Sequence, residues 1–369
     1  MGAAGGRRRA EVWGDVGMAT NTDKGFYNEA RKYAENWKQN YLAKEWKNDR
    51  LPIEPKNPGW IPFGPGFNGN THPLVLPIRY QWFNLAPSIR REVKQYFCDE
   101  GIRPHDFFGH LLSSQAFCLN LFGKFKSHPE HLREFIVKTL GLNGHEYMKI
   151  HRLEFEWNDE EIVTKIFNEV TGTRGYKQTT SDMKIEYQYG NKDCLLLIEF
   201  KFTEGTGPSS KLPFGECSIS DKAGCDSRLK LMINPKVCPL ECNSTKPQYY
   251  WSIIKDNPGI LKNEFLTIDT LCPFRFDGYQ LMRNQLMAHL IEKRDSKRCD
   301  FLVIYDGRND VIKKRPIKIN RSEYIQLDNW KNVVQNDRFH YSTIQEVYPA
   351  LSDHLGDIRN YLSIRYGLD

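Results

Sequence analysis

The sequence predicts an α/β chain of the α+β kind, a small mixed β-sheet flanked by helices with an N-terminal helical region before it. Three observations predict this. Lys149–Trp157 alternates apolar and polar residues as a half-buried strand does. Met183–Tyr189 and the run ending at Lys201 are strand-like and are separated by Gly190-Asn191, a two-residue hairpin signal. A helical stretch, Asp277–Glu292, then leads to the apolar strand Asp300–Tyr305. Strand, hairpin, helix and strand in that order suit a mixed sheet with helices against its faces.

The remaining elements follow along the chain. Residues 1–25 read as a disordered tail, Gly/Ala/Arg-rich at first and without the apolar segment of a signal peptide. Phe26–Trp46 carries Lys, Glu, Ala and aromatics at helical spacing, and the Pro/Gly-rich Pro52–Pro65 reads as the loop after it. Ala86–Glu100 is expected to be a helix with Pro87 near its start, Pro104–Phe125 a longer and largely buried one, and His131–Leu140 a short one. Residues 26–148 would then pack on the core or contribute its first helix. The core itself is expected over 149–310, with Asp159–Thr171 helical and an irregular Cys-containing insertion at 205–275. Ser322–Trp330 and Ser342–Tyr361 read as polar helices, which makes 311–369 a helical extension.

The 369 residues carry a formal charge of +6 and a pI near 8.7, a mildly basic balance that permits nucleic-acid binding without demanding it. No apolar run approaches the length of a bilayer span, which argues against an integral membrane protein. Nine cysteines without a secretory signal favour reduced thiols and a cytoplasmic setting.

The hairpin concentrates the chemistry. Side chains alternate faces along a strand, so Glu199 and Lys201 project together while Ile198 and Phe200 project the other way. If Gly190-Asn191 forms the turn, Tyr189 faces Lys192, and counting back sets Asp182 opposite Glu199. Opposed side chains lie about 5 Å apart at Cβ, where like charges destabilise the pair unless a cation lies between them. Two carboxylates suit a divalent ion such as Mg2+, which prefers oxygen ligands and keeps several waters. Met183, Ile185 and Tyr187 would meet Leu196, Ile198 and Phe200 on the other face, an apolar layer for a helix.

These residues resemble the catalytic signature of the PD-(D/E)xK nuclease superfamily, and the wider chain is similar to the uncharacterised putative restriction endonucleases within it. The resemblance runs from about Pro104 to Tyr305. It rests on His110–Phe122, Phe155–Trp157, Thr180–Asp182, Ile198–Glu204 and Tyr279–Asn284, with Ser181 where the motif has proline. It implies a restriction-endonuclease-like core that hydrolyses DNA with Mg2+ or Mn2+. Asp182 and Glu199 would hold the metal with the carbonyl of Phe200, and Lys201 would orient or deprotonate the attacking water or stabilise the phosphate. Glu156, which shares its strand face with Glu154, would be an auxiliary ligand, and Gln280 would lie beside the scissile phosphate. The bland alternative is a solvated hairpin in which Lys201 pairs with Glu199 or Glu204.

Other residues have competing readings. Ser113, Ser114, Gln115 and Asn120 interrupt an apolar helix and are read as structurally satisfied polar groups. Cys217, Cys225, Cys238 and Cys242, with Cys272 nearby, could bind zinc or an iron–sulfur cluster. The spacing lacks a C-x2-C pair, however, so simple thiols are the favoured reading. Lys124, Lys126, Lys211, Lys222, Arg228, Lys230 and Arg283 could track phosphates, although each alone reads as a solvated surface charge. DNA is the expected partner, a homodimer is allowed, and no membrane role is expected. The rival functions are a catalytically inactive nucleic-acid-binding or interaction protein on the same fold, and an RNA-processing or repair nuclease.

Overall fold

The chain is seen in a computed structural model that describes residues 21–42, 64–65, 71–144, 146–169, 178–206, 213–215, 217, 225–243, 245–267, 272, 274, 278–314 and 327–368. Five strands lie side by side in chain order: β1 (Met148–Trp157), β2 (Ser181–Tyr189), β3 (Lys192–Lys201), β4 (Arg298–Tyr305) and β5 (Phe339–Thr343). β1, β2 and β3 form an antiparallel meander, whereas β3, β4 and β5 run parallel. With helices on both faces, this is the mixed α+β architecture read from the sequence.

Gly190 adopts a φ of 58°, a left-handed conformation that glycine enters without a Cβ clash, and the hairpin closes with Tyr189 opposite Lys192. The ladder continues to Met183 opposite Ile198, so Asp182 and Glu199 stand one step beyond it. That is the register counted from the turn.

The two faces of the sheet support separate cores. Met183, Ile185, Leu196, Ile198 and Phe200 belong to the core built with α1 (Asn21–Trp37), α2 (Pro87–Asp99), α3 (Ser114–Phe122) and α4 (Arg133–Leu140). Along α1, Phe26, Ala30, Ala34 and Trp37 form one buried stripe at helical spacing. The ring of Phe117 on α3 lies edge-on to Phe200 at 5.3 Å and stacks on Tyr366 at 3.9 Å. Such aromatic pairs add about 0.5–1.5 kcal/mol each beyond burial. On the opposite face, Leu195, Leu197, Phe301 and Val303 pack with α5 (Tyr279–Asp295) through Leu281, Leu286, Met287 and Ile291.

Several expected elements are corrected. The helix expected over Pro104–Phe125 is confined to α3, because Ser113 caps it by accepting the amide of Ala116 at 3.3 Å. Upstream, the rings of His105 and His110 accept the amides of Phe107 and Leu112, local bonds that compete with helix. Between Asp159 and Thr171 the described helix is short, α-helical at residues 160–161 and continuing as the π-helical turn Ile162–Ile166, and Asn168 follows with a φ of 56°. The C-terminal segment is not wholly helical. Phe339–Thr343, β-branched and aromatic, forms strand β5, and a capping box between Thr343 and Glu346 starts the helix after it. The chain then runs through Pro349–Leu355 into α6 (Asp357–Tyr366). Residues 1–20, most of Pro52–Pro65, Lys211 and Lys222 lie outside the described residues.

The polar residues on and around α3 are satisfied internally. Asn120 accepts the amide of Ala86 at 2.7 Å and donates to the carbonyl of Asn84 and the hydroxyl of Tyr366, each at 2.9 Å. Gln115 accepts the amide of His105 at 3.0 Å.

Candidate active site

The site lies where β3 and β4 end, on the face covered by α5. Parallel strands bring their C-terminal ends together there, and the amide of Asp306 donates to the carbonyl of Lys201 at 3.2 Å. Glu199 and Lys201 share this face because they are two residues apart on β3, and both are buried, at 4% and 6% exposure. Their side chains form an ion pair of 2.8 Å.

Helix α5 supplies two further groups one turn apart. Asn284 donates to the second oxygen of Glu199 at 2.9 Å, and Gln280 accepts from the ammonium of Lys201 at 2.8 Å. The N-terminus of α5 is itself anchored, since the amide of Gln280 donates to the carbonyl of Phe214 at 2.9 Å. The ring of Phe214 lies 5.8 Å from the Lys201 ammonium and helps to close the site.

Asp182, partly buried on β2, accepts the amide of Phe200 at 2.6 Å. Burial raises its carboxyl well above the usual carboxylate range, with Glu199 and Glu156 pushing the same way, and Lys201 and the Phe200 amide only partly offset them. Burial pulls Lys201 downward, but Glu199, Glu204 and Asp182 overcome it and hold the ammonium charged above its ordinary value. A buried lysine kept charged is suited to stabilising negative charge and not to removing a proton.

Glu156 reaches the same cluster by an irregular route. It lies between the pairs Phe155–Met183 and Trp157–Ser181, with a φ of 50° and only 7% exposure. A left-handed glutamate inside a strand costs about 1–2 kcal/mol and persists only where its surroundings enforce it. Glu154 is employed elsewhere, paired with Lys184 at 2.5 Å and Arg152 at 3.1 Å.

Asp182, Glu199, Lys201, Glu156 and Gln280 are therefore brought into one neighbourhood. No three His, Cys, Asp or Glu side chains among the described residues are already drawn to metal-coordinating distances. The oxygens of Glu199 are engaged by Lys201 and Asn284.

The residues proposed to follow phosphates are mostly occupied. Arg228 is fully buried, donates to the carbonyl of Phe265 at 2.9 Å and lies over that residue's ring. Lys124 donates to the carbonyl of Leu355, Lys126 lies over the ring of Tyr96, and Lys230 pairs with Asp226. Arg283 lies over Tyr279 and faces the buried Glu169 at 3.9 Å.

A family model described as Restriction Endonuclease associating with ARP matches residues 27–367. The chain belongs to this restriction-endonuclease family. No curated protein and no solved structure matches it. Membership makes the five-stranded sheet a restriction-endonuclease-like core and the chain nuclease-like. Among the described residues, no helix is long and apolar enough to cross a membrane.

For this restriction-endonuclease relative, sequence reasoning gave Asn284 no role at the site, although its i+4 spacing from Gln280 was the available signal. It also missed Asn309, buried in the turn after β4, which donates to the carbonyls of Phe202 and Glu204 at 2.8 and 3.1 Å. Asn309 ties down the chain just after Lys201.

Proposed function

We propose that this chain is a Mg2+- or Mn2+-dependent DNA endonuclease of the PD-(D/E)xK superfamily, with Asp182, Glu199 and Lys201 as its catalytic set. One observation carries the reading: Asp182, Glu199 and Glu156 converge at a strand end beside the buried Lys201 ammonium. Burial raises the Asp182 carboxyl and the neighbouring Glu199 and Glu156 push it further the same way, a mutual repulsion of carboxylates that a divalent ion would relieve. Asp182 and Glu199 would hold the ion with the carbonyl of Phe200, and Glu156 would be an auxiliary ligand.

When bound, the ion supplies charge neutralisation at the phosphate and a more acidic water. The chain's own groups do the rest. Lys201, held charged and fixed by Gln280, faces the charge that builds on the phosphorus oxygens. Asn284 fixes the rotamer of Glu199, leaving it no freedom to turn away. Phe214 and the apolar wall of α5 lower the local dielectric and strengthen each of these interactions.

The test is cleavage of DNA in Mg2+ or Mn2+ by the native chain beside Glu199→Ala and Lys201→Ala, with an RNA substrate run in parallel. Cleavage abolished in both variants is the expected result. Activity surviving both rejects this site. DNA retention without cleavage by any form would instead support an inactive binding protein on the same fold, and cleavage of RNA alone would support an RNA-processing enzyme.

A further inference from the structure

Four cysteines from separate segments line one small cavity beside the N-terminal half of α5. Cys217, Cys225, Cys238 and Cys272 surround a space of about 20 Å³, walled otherwise by apolar groups that include Trp251 and Phe274. Cys225, Cys238 and Cys272 are each 4–5% exposed. The segments are laced together by backbone bonds, from the amide of Cys272 to the carbonyl of Cys225 at 3.0 Å and from the amide of Cys217 to the carbonyl of Phe274 at 3.1 Å. Cys242, the fourth member expected from the sequence, is exposed and directs its thiol at the carbonyl of Pro239, so Cys272 replaces it.

A buried cysteine is ordinarily a small apolar filler. One feature sets these four apart. They meet around a space about the size of one water, although they are spread over more than fifty positions of sequence.

We propose that Cys217, Cys225, Cys238 and Cys272 hold a single zinc ion. Zinc takes four thiolates tetrahedrally at about 2.3 Å, and the cavity accommodates one ion but not the inorganic core of an iron–sulfur cluster. The sulfurs are not at coordinating distance among the described residues, so they close inward on loading. Zinc takes cysteines as thiolates, so binding releases the thiols' protons to solvent.

The site would staple together described stretches that are otherwise separate in sequence. Between β3 and α5 the described helices are short, Arg228–Ile233, Tyr250–Asp256 and Asn263–Leu266 among them. Tyr279 also walls the cavity, and the next residue, Gln280, touches Lys201.

The test measures metal in the full chain expressed in zinc-supplemented medium and purified without chelator. About one zinc per chain is expected, kept in Cys242→Ser and lost in Cys272→Ser. Cobalt exchanged into the native chain should give the absorption of a tetrahedral thiolate site, a readout that does not require a folded variant. A native chain without zinc overturns the proposal. So does iron with a cluster chromophore, a disulfide between Cys225 and Cys272, or zinc that depends on Cys242 and not on Cys272.

Discussion

Asn284 reaches from helix α5 to the sheet and donates to Glu199 at 2.9 Å, with both residues buried. Its amide oxygen has no hydrogen-bond partner among the described residues, so the side chain is held by the carboxylate alone. Partners that orient a metal-binding carboxylate usually contribute about 10–100-fold to affinity or activity. Asn284→Ala should therefore lower DNA cleavage by about that factor and raise the Mg2+ concentration needed, while circular dichroism stays unchanged. Unaltered cleavage and metal dependence would remove Asn284 from the site.

Glu156 offers a different test, because its backbone and its carboxylate can be separated. Glycine tolerates the φ of 50° freely and alanine does not. Glu156→Gly should exceed Glu156→Ala in stability by about 1 kcal/mol in urea unfolding, and both should lose activity. If the alanine variant is equally stable, the backbone at this position is not strained.

His110 makes stability depend on acid. Burial lowers its pKa to about 4, helped by His72 and Arg365, and its Nδ1 accepts the amide of Leu112 at 3.1 Å, which requires a neutral ring nitrogen. The folded value lies below the unfolded one near 6.5, so the unfolded chain binds more protons between them. The contribution is complete above about 6.5, is lost as pH falls toward about 4, and amounts to at most about 3 kcal/mol. His110→Asn, which can still accept the Leu112 amide, should flatten the stability curve over that window. An unchanged slope would assign the acid sensitivity to other groups.

Asn120 joins three distant parts of the chain through Asn84, Ala86 and Tyr366. Asn120→Ala leaves the buried amide of Ala86 without its acceptor and the Tyr366 hydroxyl without its donor, while the carbonyl of Asn84 keeps the hydroxyl of Tyr361 at 3.3 Å, and should cost about 1–3 kcal/mol. Denaturant unfolding measures this directly, and a loss below about 1 kcal/mol would mean that water or neighbouring groups replace the bonds.

What could be read from the sequence was whatever local rules determine. The hairpin register followed from Gly190-Asn191 and a period of two, and it brought Asp182 beside Glu199. Strand β5 was not legible, because it has only five residues, pairs in parallel with a strand over thirty positions away and leads directly into a helix. Proximity along the chain misled the choice of Cys242, whereas Cys272 reaches the other thiols through backbone pairing that no spacing rule describes. The φ of Glu156 leaves no trace in composition at all.

The position of β5 also bears on how the protein is made. A nascent chain halted before Phe339 already carries Glu156, Asp182, Glu199, Lys201 and Gln280. It lacks the strand that covers the edge of β4 and the helix whose Tyr366 stacks on Phe117. The chain would leave the ribosome with these side chains already made and an open sheet edge, a template for mispairing. The sheet is therefore completed only once residues 339–366 are present, and fragments that end before Phe339 should aggregate and not cut.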